Sequence, residues 1–195
     1  DLVDTTAPEL SIPADYTAEC SDEIVLADAT ATDNCDTDVD ISYSEEIVEG
    51  CGASYVHTRT WVATDDCDNS STATQTITVV DTTAPVLTIP ADYTAECSDD
   101  HPMDDASATD NCEGEITIEV VTVETPGACA GDYSIARTFT ATDECGNASS
   151  ETQTITIIDT TAPVLTIPAD YTAECSDDHP MDDASATDNC GEVTI

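Results

Sequence analysis

The sequence contains no lysine, and its two basic residues, Arg59 and Arg137, stand against 43 acidic ones, a formal net charge of −41 over 195 residues. A surface of that sign repels nucleic acid and anionic lipid, which removes both as partners. Large aromatics are scarce: the one tryptophan is Trp61 and the one phenylalanine Phe139, so platforms for stacking glycans are lacking. No apolar run is long enough to span a membrane, and no window repeats its apolar residues at helical spacing. CxxC pairs, an EF-hand loop and a nucleophile motif are all missing, and His57 stands alone. Acidic pairs recur with the repeat described next instead of gathering in one cleft, so no enzyme is expected.

What the chain has is repetition. The stretch from Asp81 through Cys97 also begins at Asp4, with Glu9 in place of Val86 and Ser11 in place of Thr88, and at Asp159, offsets of 81 − 4 = 77 and 159 − 81 = 78 residues. Residues 81–112 and 159–190 agree letter for letter. The expected organisation is residues 1–3 as the end of a preceding repeat, 4–80 and 81–158 as two repeats, and 159–195 as a truncated third. The stretch thus reads as a window on a longer array, of the sort that serves as a stalk or fibre.

Each repeat is small and its apolar core thin, so a covalent staple is expected. Ten cysteines supply it, at 20, 35, 51, 67, 97, 112, 129, 145, 175 and 190. Regular cysteines at long spacing indicate disulfides made in an oxidising, extracellular setting.

Of the 195 residues 33 are threonine, mostly in alternating runs such as Thr74–Val80 and Thr152–Ile158. β-branched residues at period two predict an all-β chain. In the second repeat strands are expected over Val86–Ile89, continued past Pro90 by Asp92–Cys97, near Asp105–Thr109, and over Glu115–Glu124, Tyr133–Thr142 and Ser149–Ile158. Short strands between regular turns fit a sandwich of immunoglobulin type, and their parity carries the chain in at one pole and out at the other, giving end-to-end repeats in a rod. Trp61 and Phe139 are expected in the core, with Arg59 and Arg137 two residues earlier on the same strand face, each in an ion pair with a carboxylate. The same topology pairs Cys20 with Cys51, Cys35 with Cys67, Cys97 with Cys129 and Cys112 with Cys145. A competing pattern joins Cys97 to Cys112, Cys129 to Cys145 and Cys175 to Cys190.

Three motifs carry a resemblance: Asp-Thr-Thr-Ala-Pro at the start of each repeat, Ala-Thr-Asp-Asn at 108–111 and Ala-Thr-Asp-Glu-Cys-Gly-Asn at 141–147. They resemble hyalin-repeat (HYR-like) modules, immunoglobulin-like units of extracellular adhesion proteins. The acidic, cysteine-rich form is similar to arrays in giant surface adhesins of gliding Bacteroidota. Four cysteines per repeat depart from animal hyalin repeats. The resemblance implies a cell-surface location and a part in adhesion or gliding motility.

Three acidic segments are expected to meet at one pole of each repeat. They are Asp4, Asp33-Asn34 and Asp65-Asp66 with Asn69 in the first, and Asp81, Asp110-Asn111 and Asp143-Glu144 with Asn147 in the second. Asp159 and Asp188-Asn189 begin the third set. Carboxylate and amide oxygens converging from separate loops suit Ca²⁺, which takes six to eight hard oxygen ligands. Aspartate and asparagine are also common turn formers, so the same residues have a purely structural reading. At the far pole Ser98–Asp105 is expected to face Asp159, where calcium would stiffen the junction. The expected whole is an extracellular, disulfide-stapled stalk whose ligand, a surface or a glycan, binds outside this window. The alternative is a self-associating filament in which neighbouring repeats and other copies of the protein are the partners.

Overall fold

The computed structural model describes residues 3–129, 131–172, 174–177 and 182–195, and every helix or strand element among them is a strand. Residues 1 and 2 of the expected leading tail lie outside the described residues. The first repeat forms β1 (Glu9–Ser11), β2 (Tyr16–Glu19), β3 (Thr30–Thr32), β4 (Asp40–Glu49), β5 (Tyr55–Thr64) and β6 (Ser70–Val80). The second forms β7 (Val86–Thr88), β8 (Tyr93–Glu96), β9 (Ser107–Thr109), β10 (Thr117–Pro126), β11 (Tyr133–Thr142) and β12 (Ala148–Ile158). The third contributes β13 (Val164–Thr166) and β14 (Ser185–Thr187).

Two four-stranded sheets, ordered β2-β6-β5-β4 and β8-β12-β11-β10, are accompanied by the two-stranded sheets β1-β3, β7-β9 and β13-β14. Proline divides the first segment of each repeat. Pro13 follows β1 and Pro90 follows β7, and a residue without an N–H cannot extend a ladder, so the chain leaves one small sheet and joins the large one. There β2 runs parallel to β6, with Tyr16 opposite Ile77. The expected kinked strand is thus two strands in two sheets.

Alternation fixes which face is covered. Every second residue is buried from His57 to Ala63 in β5 and from Gln75 to Val79 in β6, and Trp61, Ala63, Ile77 and Val79 form the core of the first large sheet. Phe139, Ala141, Ile155 and Ile157 occupy the matching positions of the second, with Tyr93 and Tyr133 packed against Ile135, Ile155 and Ile157. Trp61 and Phe139 are core residues, as expected.

The arginines require a correction. Both are buried, but neither meets a carboxylate in a salt bridge among the described residues. Arg59 sits opposite Gln75 in the β5–β6 register. Its Nη1 donates to Gln75 Oε1 at 3.1 Å and to the Ala27 carbonyl at 2.9 Å, while the guanidinium lies 4.7 Å from the Trp61 ring centre. Arg137 repeats this with Gln153, the Asp104 carbonyl and the Phe139 ring. A neutral amide and a carbonyl satisfy the donors without the cost of desolvating a second charge. His57 is also buried, its Nε2 2.9 Å from Glu45 Oε2 in a cross-strand pair.

The disulfides require a second correction. Cys20 is bonded to Cys112, Cys51 to Cys145 and Cys97 to Cys190, with separations of 92, 94 and 93 residues. The first and third cysteines of one repeat therefore join the second and fourth of the next. Neither expected pattern, both of which closed the bonds inside a repeat, occurs among the described residues. The chain divides into two compact units whose bounds cross those of the sequence repeats. One comprises Asp1–Val86, Ala108–Thr117 and Ala141–Ser149, the other Leu87–Ser107, Ile118–Thr140 and Ser150–Ile195. Two bonds, Cys20–Cys112 and Cys51–Cys145, tie loops of the second repeat into the first unit.

Candidate metal centres

Each loop aspartate is set by a local turn. Asp33 Oδ1 accepts the Cys35 N–H at 2.8 Å, Asp110 Oδ1 that of Cys112 at 2.9 Å, and Asp188 Oδ1 that of Cys190 at 2.8 Å. In the last hairpin Asp65 Oδ1 accepts the N–H groups of Cys67 and Asn69, and Asp143 Oδ1 those of Cys145 and Asn147. Asp4, Asp81 and Asp159 do the same for Thr6, Thr83 and Thr161. These are Asx-type turns, which explains Asp followed two residues later by an N–H donor. The turn uses one carboxylate oxygen; the other accepts an asparagine amide in Asp65 and Asp143 and has no donor in Asp33, Asp110 and Asp188.

Carboxylates from the three loops converge. Asp4, Asp33 and Asp65 offer carboxylate oxygens within 4.8 Å of one another, and so do Asp81, Asp110 and Asp143, all within the first unit. Oδ2 of Asp33, of Asp110 and of Asp188 is buried without a hydrogen-bond donor. A buried carboxylate oxygen with no donor is costly, and a bound cation would satisfy it. Burial pushes the Asp81 carboxyl above its ordinary range, and the Asp143, Asp110 and Glu19 carboxylates add to the shift. Asp143 moves the other way. Desolvation works against its charge, but donors from the Asn147 side chain and from the backbone of Asn147, Cys145 and Gly146 outweigh it. A hard, all-oxygen, partly desolvated set fits Ca²⁺ better than Zn²⁺, which favours nitrogen and sulfur.

Other residues of the expected sets are placed differently. Asn69 and Asn147 turn their amide nitrogens to the group, Asn69 to Asp65 Oδ2 at 2.8 Å and Asn147 to Asp143 Oδ2 at 2.9 Å, holding those carboxylates in position. Asn111 and Asn189 donate instead to Ser21 Oγ and Ser98 Oγ beside the disulfides, and Asn34 to Cys35 Sγ. Asp66 and Glu144 are exposed and belong to neither trio. Asp159 and Asp188 line one pocket with Cys129 and Glu192.

Sequence reading missed Glu19 and Glu96. Glu96, not the Ser98–Asp105 run, is the acidic group gathered with Asp159. Its carboxylate takes the Thr160 N–H, the Thr160 hydroxyl and the Thr161 hydroxyl, each at 2.9 Å. Glu19 clasps Thr82 and Thr83 in the same way. The signal was present: Ala-Glu-Cys and Asp-Thr-Thr-Ala-Pro recur together unchanged in all three copies.

The Thr160 backbone bond, with the two threonine hydroxyls and Asn189, holds the Glu96 pKa down at about 2 against an ordinary 4.5. A lowered folded-state value means that the clasp contributes stability above pH 4.5 and loses it as pH falls through the window toward 2. Glu96→Gln is expected to flatten that part of the curve of midpoint against pH while leaving its slope near neutrality unchanged. Thermal melts between pH 2 and 7 test this, and identical curves for the two proteins would refute the assignment.

Residues 85–157 match the family model described as an HYR-like domain with 4 cysteines. Hyalin of Strongylocentrotus purpuratus is 29% identical over 215 aligned residues, covering 99% of this chain but 18% of that protein. The chain thus spans under a fifth of that relative. Among solved structures, protocadherin gammaB7 EC3–6 in a cis-dimer aligns with 84% of this chain and 54% of its own at 16% identity, TM-score 0.35. Drosophila N-cadherin EC1–4 aligns with 80% and 50% at 17% identity, TM-score 0.33.

Proposed function

We propose that the chain is part of an extracellular, cell-surface adhesin: a stalk of immunoglobulin-like HYR repeats, end to end in a rod, whose junctions Ca²⁺ stiffens. The observation that carries this reading is the twice-repeated aspartate trio with an orphaned buried oxygen, on Asp33 in one copy and Asp110 in the other. Asp81 lies on the segment between β6 and β7 that links two repeats, so a cation shared by Asp81, Asp110 and Asp143 would restrain that joint. The match over residues 85–157 and the likeness to hyalin support an adhesive role outside the cell. A part in gliding motility is the finer form of the same proposal. The chain's own contribution is mechanical. Asx turns aim one oxygen of each aspartate inward, Asn69 and Asn147 orient two of the carboxylates, and the disulfides keep the loops from separating. Ca²⁺, when bound, would supply the positive charge that cancels their repulsion.

Thermal unfolding in millimolar Ca²⁺, in EGTA, and in EGTA with excess Mg²⁺ tests the proposal. A ligand at ~100 times its Kd adds about 2.7 kcal/mol, which for a chain of this size raises the midpoint by roughly 5–10 °C. Asp110→Asn is expected to remove about half of the rise, leaving the part due to Asp4, Asp33 and Asp65. A midpoint indifferent to Ca²⁺ would sink the calcium reading.

One observation favours the filament as a second reading. β4 and β10 are edge strands of ten residues with every residue exposed, and β10 displays Ile118, Val120, Val121 and Val123 to solvent. A long, uncovered, apolar edge invites strand pairing with another copy. Sedimentation of the wild type against Val121→Lys distinguishes the two: self-association lost in the variant supports the filament.

A further inference from the structure

Four cysteines, Cys35, Cys67, Cys129 and Cys175, are exposed and unbonded among the described residues. They are not a random remainder. Cys35 and Cys67 are the repeat counterparts of Cys112 and Cys145, which accept bonds from the repeat before. Cys129 and Cys175 are the counterparts of Cys51 and Cys97, which send bonds to the repeat after. Every cysteine whose partner position falls within residues 1–195 is bonded, and every one whose partner position falls outside is free. Cys35 and Cys67 also line one pocket, yet they are not bonded to each other.

We infer that these four thiols are open halves of a two-bond covalent ladder, each made to receive one cysteine of a further HYR-like repeat. Cys35 and Cys67 take the first and third cysteines of a repeat placed before, and Cys129 and Cys175 the fourth and second of repeats placed after. Each closure removes two protons and two electrons from a thiol pair and forms one S–S bond. The electrons go to a disulfide oxidant such as oxidised glutathione, which becomes two thiols. The incoming repeat has two possible sources, the same polypeptide or a second copy, and the cysteine chemistry is the same for both.

Free-thiol counting with a chromogenic disulfide reagent under denaturing conditions, after oxidation in a glutathione buffer, tests the ladder. In the 195-residue chain kept dilute, the count is expected to be four, and Cys129→Ser lowers it to three. A second protein carries an appended copy of residues 119–158 after Ile195, which completes the third repeat with its third and fourth cysteines. In it Cys129 is expected to bond the appended copy of Cys145, so the count stays at four. Cys129→Ser then raises it to five by orphaning that partner. A fall to three in both proteins would overturn the ladder, as would a count of two or fewer in the parent, which marks bonds closed within repeats. Circular dichroism of the extended protein checks that the appended strands form, and peptide mapping of the Cys129 bond reads the pairing directly if the variant does not fold. The second source is read by concentrating the parent. A dimer bonded Cys175 to Cys35 assigns it to separate copies; no dimer, with the extended protein behaving as expected, assigns it to one polypeptide.

Discussion

Removing the Cys51–Cys145 bond by the double substitution Cys51→Ala and Cys145→Ala is expected to lower the thermal midpoint by roughly 8–15 °C. The bond closes a loop spanning 94 residues of separation, and fixing a loop of that length removes chain entropy worth about 4.6 kcal/mol from the unfolded state. The Cys20–Cys112 bond closes an overlapping loop, so part of that restraint persists in the variant and a net loss of about 3–4 kcal/mol is expected. At about 2–4 °C per kcal/mol for a chain of this size, that gives the stated range. The control is Cys67→Ala, which occupies the same repeat position as Cys145 but is unbonded, and which is expected to shift the midpoint by less than about 2 °C. Differential scanning calorimetry of the three proteins decides it. Equal midpoints for the double variant and the control would show that the bond contributes nothing.

The same bond shows where sequence reading ran out. Strand positions were legible to within a few residues, because alternation in Tyr133–Thr142 and Ser149–Ile158 can serve only one sheet face, and β11 and β12 lie there. Convergence of Asp81, Asp110 and Asp143 was legible as well, since strand parity alone brings the three loops to one side of a repeat. Cysteine pairing was not. In a periodic chain, a bond from the first cysteine to the second of the same repeat and one to the second of the next leave the same spacing. Periodicity is blind to a shift by one period, and only three-dimensional placement separates Cys97–Cys112 from Cys97–Cys190. The asparagines illustrate a finer limit. Asp110 and Asn111 are adjacent, yet the turn sends one toward the carboxylates and the other toward Ser21, a divergence that composition cannot express.

Arg137→Ala is expected to cost about 3–5 kcal/mol, a fall in midpoint of roughly 10–15 °C. The side chain is 5% exposed, and its Nη1 donates to the Asp104 carbonyl at 2.8 Å and to Gln153 Oε1 at 3.2 Å. Gln153, 1% exposed, keeps its own bond to the Ala91 carbonyl, but its oxygen would lose its donor inside the sheet packing. A void beside Phe139 adds to the loss, since the guanidinium lies 4.9 Å from that ring centre. The sequence led to the expectation of a carboxylate partner, and the buried arrangement shows why an amide and a carbonyl serve instead. Two opposite charges beneath a thin sheet would both need desolvation, whereas one arginine beside an amide, a carbonyl and a ring needs only its own. That account makes a second, sharper prediction. Arg137→Met paired with Gln153→Leu removes the charge and its partner together, fills the space with apolar atoms, and is expected to recover at least half of what Arg137→Ala loses. If the pair is as damaged as the single variant, the arginine acts through a contact other than Gln153. Raising the salt concentration separates this buried role from a surface one: the loss caused by Arg137→Ala is expected to be the same in 50 mM and 500 mM NaCl, because mobile ions screen exposed charges and not a buried guanidinium.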